Sequence, residues 1–169
     1  MTVRLHPLAW ATVLLPANGT VPMWLWMGLD AGVPLVAWIV EFTAAFLLLM
    51  AAHEIGHAIT AVSFGERVRQ VEIGVMRLSI TLDSTTVRQP ARQFWISLSG
   101  PGLQLLLAAL CVSAQQASPA IALAGLISAV DALINLLPLD GTDGQKLVAS
   151  GIHCLAGRGR LSRPAPLEG

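Results

Sequence analysis

Residues 33–64 run for 32 positions without a lysine, an arginine or an aspartate. As a helix rising about 1.5 Å per residue, this stretch reaches roughly 48 Å, more than a hydrocarbon core of about 30 Å. It predicts a membrane-crossing helix that tilts or protrudes at one end. Two later runs, 94–113 and 119–137, are each long enough for one crossing. Composition agrees. AVILMFWYC make up 54% of the chain and charged residues 12%, where a soluble domain carries about 25% charged. An ordinary cytosolic fold, a coiled coil and disorder are excluded on that ground. Ten basic and ten acidic side chains cancel, which argues against a nucleic-acid partner. Cys111 and Cys154 are too few for a disulfide framework.

The remaining segments are read more coarsely. Residues 8–27 are apolar and Trp-rich, but Pro16, Asn18, Gly19 and Pro22 interrupt them, so a broken span, a re-entrant piece or an interfacial piece all fit. Residues 65–93 are polar and hold Arg67, Arg69, Arg77, Arg88 and Arg92. Within them Val71, Ile73 and Val75 alternate with polar or small residues, as do Leu78, Ile80 and Leu82. Period two predicts two short strands, a hairpin at the membrane surface. After Gly144 an amphipathic stretch leads into a basic tail with Arg158, Arg160 and Arg163. If 8–27 crosses once, all ten basic residues share one face, the cytoplasmic one by the positive-inside rule. With three spans only Arg4 changes side.

The expected fold class is mainly α. It is a polytopic helical membrane protein with three core spans, an N-terminal membrane segment and a short cytosolic β-hairpin. It forms one domain over 1–169: an N-terminal membrane-associated segment at 1–32, a core at 33–150 and a basic tail at 151–169.

Within the long apolar run stands His53-Glu54-Ile55-Gly56-His57, an H-E-x-x-H sequence. On a helix, positions i and i+4 share a face, so both imidazoles can reach one ion. Glu54 stands beside them and can act as a general base on water. Ionisable groups inside a span are costly and usually functional, and three in five residues are hard to explain as structure. Two histidines leave a metal site short, because a catalytic zinc usually takes three protein ligands. The last apolar run ends in NLLPLDGTDG, with Asn135, Pro138, Asp140, Asp143 and Gly144. On chemistry alone Asp140 and Asp143 both qualify as the third ligand.

At these residues the chain resembles the site-2 proteases, intramembrane zinc metalloproteases. That family pairs HExxH on one span with N-x-x-P-x-x-x-x-D-G on a later one. Asn135, Pro138, Asp143 and Gly144 match every fixed position of the second pattern. The resemblance covers roughly 33–150, and the N-terminal piece with His6-Pro7 is similar to the compact sporulation-factor-processing branch. It implies Glu54 as the catalytic residue and one zinc ion on His53, His57 and Asp143. It also implies substrate or transition-state support from Asn135 and Gln104. Gln104 stands where the family's G-P-x-x-N often has Asn, and Thr142 where Leu often precedes the ligand. The implied activity is hydrolysis of a peptide bond in or near a transmembrane segment. The partners would be a single-span membrane protein substrate and the lipid bilayer. The location would be the cell membrane, multi-pass, with the active site toward the cytoplasm. The alternatives are a catalytically silent relative that binds a membrane partner, and a metal-ion carrier.

Glu41 and Asp131 remain outside this pattern. Each lies in an apolar run, where a mid-bilayer charge costs at least about 2.5–3.5 kcal/mol on insertion scales. Glu41 stands 12 residues before His53, and Asp131 stands 12 before Asp143. If both segments stay helical, the two acids share one depth, about 18 Å from the ligands. They fit three readings: two acids near the outer interface in water, a facing pair that shares a proton, or the lining of a polar cleft that brings water to the metal; no catalytic role is assigned to either.

Overall fold

The computed structural model describes residues 2–5, 19–28, 32–74, 77–83 and 89–161. Four long helices account for most of them: α1, Leu35–Ser63; α2, Pro90–Ser113; α3, Pro119–Leu136; and α4, Asp143–Leu161. Among the described residues the first three are long and apolar enough to cross a membrane. Of the expected N-terminal segment, 6–18 and 29–31 lie outside the described residues. Apart from Thr2–Leu5, the described part holds a short helical turn, Val21–Met23, followed by one π-turn, Trp24–Gly28. The Trp24 indole N–H donates to the Val33 carbonyl at 2.8 Å and ties this piece to the entry of α1.

Local chemistry explains the helix ends. α1 starts after Pro34, whose extended backbone (ψ 138°) admits no earlier turn. It ends in a Schellman arrangement. Gly65 takes φ +84°, its N–H bonds the Val62 carbonyl at 2.9 Å, and the Glu66 N–H reaches back to Ala61 at 3.0 Å. Proline opens both α2 and α3, where its missing N–H costs nothing. Ser118 caps α3 by accepting from the Ile121 N–H at 3.2 Å. α3 stops at Leu136 because Pro138 pushes Leu137 out of the helical region, to ψ 145°.

Three strands form one sheet in the order β1-β2-β3: β1, Thr2–Leu5; β2, Arg67–Gly74; and β3, Arg77–Asp83. β2 and β3 pair antiparallel, and β1 lies parallel to β2 with Val3 opposite Val71. The residues between β2 and β3, 75–76, lie outside the described ones. The parallel partner from the N-terminus was not expected, since residues 1–32 were read as membrane-associated. Backbone pairing across more than sixty positions leaves no local signature.

α2 is the central helix and contacts α1, α3 and α4. At one end the core is aromatic, with Trp38, Phe42 and Phe46 of α1 closing on Ala120 and Ala124 of α3. Elsewhere small residues set the spacing. A Cβ on Gly125 would meet Cys111 Cβ at 2.7 Å and the Ala108 carbonyl at 2.8 Å. Close backbone approach through small residues is how helices pack where no hydrophobic drive between them exists. Outward, Val36, Val40, Leu48, Leu106, Leu110 and Leu126 are exposed.

Candidate metal centre

α1 carries both histidines one turn apart, and their rings meet edge to face at 4.8 Å between centroids. Asp143 arrives from a different element. α3 does not continue to it; residues 137–142 form a loop, and Asp143 is the first residue of α4. Thr142 holds that start. Its hydroxyl donates to the Leu137 and Leu139 carbonyls at 2.6 and 2.8 Å and accepts from the Gln145 N–H at 3.4 Å. Thr142 and Gln145 stand at the spacing of a capping box, with the Gln145 side chain accepting from the Gly141 N–H at 3.0 Å. Gly144 allows the approach, because a Cβ there would lie 2.2 Å from the Leu136 carbonyl oxygen.

These elements bring three donor atoms into one triangle. His53 Nε2 and His57 Nε2 are 3.1 Å apart. Asp143 Oδ2 stands 3.2 Å from the first and 2.9 Å from the second. His53 and Asp143 are buried, each 7% exposed, and His57 is half-buried.

The other nitrogen of each ring is engaged. His57 Nδ1–H donates to the Ile96 carbonyl at 2.6 Å. His53 Nδ1–H donates to Gln104 Oε1 at 2.7 Å. In a neutral imidazole one nitrogen donates and the other accepts, so both Nε2 atoms present lone pairs to the carboxylate. Three acceptors at about 3 Å repel one another unless a cation or a proton lies among them. His53, His57 and Asp143 could therefore hold a metal ion.

Burial alone would raise the Asp143 carboxyl. The two imidazoles and the Lys146 ammonium packed around it outweigh burial and hold this group well below the usual carboxylate range. Lys146 Nζ donates to Asp143 Oδ1 at 2.9 Å.

The other expected site residues divide. Glu54 follows His53 on α1 and is half-buried. Asn135 lies half-buried in the last turn of α3 and, among the described residues, makes no side-chain hydrogen bond. Asp140 is exposed and accepts from Gln145 Nε2 at 3.2 Å, outside the triangle. Gln104, expected as support for substrate or the transition state, is packed behind His53. It is 1% exposed, with its oxygen on His53 and its nitrogen 3.2 Å from Asp131 Oδ2.

The two leftover acids do not share a depth. Glu41 accepts from the hydroxyl of Ser118, at the start of α3, whereas Asp131 lies thirteen residues further along that helix. Counting helical rise back from Asp143 fails because 137–142 is not helix. The Ile96 carbonyl and Lys146 were missed by sequence reasoning, and Asp131 was singled out without its partner Gln104. The i,i+3 spacing of Lys146 to Asp143 was the one available signal.

Neither a known family model nor a curated protein matches this chain.

Proposed function

We propose that this chain is an intramembrane zinc metalloprotease of the site-2 protease type, cutting a peptide bond in or near the membrane segment of a single-span substrate. The observation that carries the reading is the convergence of three acceptor atoms, from two motifs some ninety residues apart, into a triangle with edges of 2.9–3.2 Å. Ligand atoms on a tetrahedral zinc with bonds of about 2.0–2.1 Å are separated by roughly 3.3 Å. Two imidazoles and one carboxylate make up a donor set zinc accepts, and three protein ligands leave a fourth position open.

His53, His57 and Asp143 would hold the ion. Bound there, zinc would supply Lewis acidity, polarising a peptide carbonyl and lowering the pKa of water toward about 7. Glu54, next to His53 on the same helix, takes the proton from the attacking water and returns it to the leaving amine. Asn135, eight residues before Asp143 in the matching motif, would hold substrate backbone or support the transition state.

The three long apolar helices support a location in the membrane. The gathering of lysine and arginine on one side of the expected topology supports a cytoplasmic sheet and a site near the cytoplasmic face. A substrate helix must unwind to expose its peptide bond. Among the described residues, the outer edges of β1 and β3 pair with no further strand, so an unwound segment has an edge to add to.

The test compares wild type with Glu54→Gln, each expressed beside a candidate single-span substrate. Cleavage by wild type and its loss in the variant, with zinc retained in both, supports the reading. Undiminished cleavage by Glu54→Gln would sink it.

A further inference from the structure

We infer that Asp131 is a positioning residue for the metal centre, acting through Gln104 to fix the tautomer of His53. The inference rests on the metal-holding part of the reading above and not on the proteolysis.

The contacts form a chain: Asp131 Oδ2 to Gln104 Nε2 at 3.2 Å, and Gln104 Oε1 to His53 Nδ1 at 2.7 Å. A side-chain amide has one end that only donates and one that only accepts, and it can turn over to exchange them. A carboxylate only accepts. Asp131 therefore decides which way Gln104 faces, with its NH2 on Asp131 and its oxygen on His53. That oxygen in turn requires the His53 proton to sit on Nδ1, which leaves Nε2 bare toward His57 and Asp143. If Gln104 turned over, its NH2 would meet Nδ1 and drive the proton onto Nε2, in the middle of the ligand triangle.

His57 reaches the same state by a simpler device. Its Nδ1–H faces the Ile96 main-chain carbonyl, which cannot turn over. Only His53 depends on a reversible group, and only His53 has an acid behind that group. Asp131 itself is exposed on α3, in a stripe with Ile127, Val130 and Ile134, each also exposed. Within that apolar stripe the carboxylate has one hydrogen-bond partner among the described residues, and it is Gln104.

Partners behind a metal-ligating histidine typically change metal affinity by about 10–100-fold when removed. The experiment measures zinc affinity of the purified full chain in detergent, by competition with a chromophoric chelator. Asp131→Leu is expected to weaken zinc binding by about 10–100-fold. Gln104→Leu should weaken it in the same range, and the double variant should be no worse than Gln104→Leu alone, because the acid acts through the amide. In the Asp131→Leu background, Gln104→Glu should restore affinity, since a carboxylate needs no orienting to accept from Nδ1–H. In the metal-free protein, imidazole nitrogen shifts should report His53 as the Nδ1–H tautomer in wild type and as a mixture in Asp131→Leu. Unchanged affinity in Asp131→Leu, or losses that simply add in the double variant, would overturn the relay. A wild-type chain that binds no zinc would overturn both the relay and the reading beneath it.

Discussion

Gly100 of α2 lies so near His57 of α1 that a Cβ on it would sit 2.3 Å from the ring Nε2. That nitrogen is one corner of the ligand triangle. The absence of a side chain at 100 thus sets where the His57 ring can stand, and the neighbouring crossing is also tight. A Cβ on Gly56 would meet the Ser99 carbonyl oxygen at 2.6 Å. Backbone-to-ring contact at this distance leaves no room for even a methyl group.

Gly100→Ala should therefore displace the His57 ring or part α1 from α2, with overpacking of about 1–3 kcal/mol. Zinc affinity and cleavage should both fall. Gly102→Ala is the control, because Gly102 is exposed and its Cβ would meet nothing within 4 Å. Equal behaviour of the two variants in a zinc-binding titration would show that the close approach is not what seats His57.

The two Asp-Gly steps give a sharper contrast. Asp143→Ala removes one of three ligand candidates and leaves His53 and His57 facing an empty corner. Zinc stoichiometry by metal analysis should drop toward zero, and cleavage with it. Asp140→Ala breaks one exposed contact to Gln145, and exposed pairs of this kind contribute little. Zinc content should stay at the wild-type level. A reversed ranking would show that the loop presents the other carboxylate.

How far the site could be read beforehand follows from where its information lies. His53 and His57 were legible because helical periodicity alone puts i and i+4 on one face. The choice of Asp143 over Asp140 was not available from chemistry; it came from spacing shared with a family, and the geometry agrees because Thr142 starts a new helix there. The roles of Ile96, Gln104 and Asp131 depend on how α2 seats against α1 and α3, through Gly56, Gly100 and Gly125. No pattern inside a single segment carries that information. The depth argument for Glu41 and Asp131 failed at one assumption, helix continuity past Pro138. The three long apolar helices were legible because length and hydropathy are local properties. β1 was not, because its partner is distant in the chain.

Thr142 carries a prediction of its own. Its hydroxyl makes three contacts that hold the start of α4, and Asp143 is the next residue. Loss of an N-cap costs about 0.5–2 kcal/mol. Thr142→Ala should lower the unfolding midpoint of the metal-free protein and weaken zinc binding, because the first turn that presents the carboxylate frays. Thr142→Ser, which keeps the oxygen, should restore most of both. Thermal unfolding with and without zinc separates the two effects. A variant destabilised equally in both conditions would place Thr142 in the fold and not behind the ligand.

The membrane topology can be tested at the two ends of α2. This helix has 24 residues, about 36 Å at 1.5 Å per residue, enough to cross a bilayer core once. Its ends should then face opposite compartments. Gln89 precedes it and Gln115 follows it, and both are exposed. Gln89 belongs to the arginine-bearing connection that the positive-inside rule assigns to the cytoplasm, whereas 114–118 holds no basic residue. In a Cys111→Ala, Cys154→Ser background, Gln115→Cys should react with a membrane-impermeant maleimide added to intact cells. Gln89→Cys should react only after the membrane is opened. Labelling of Gln89→Cys from outside would invert the arrangement and place the sheet on the outer face. Labelling of both sites from one side would show that α2 does not cross, and would remove the membrane-spanning premise of the proposed proteolysis.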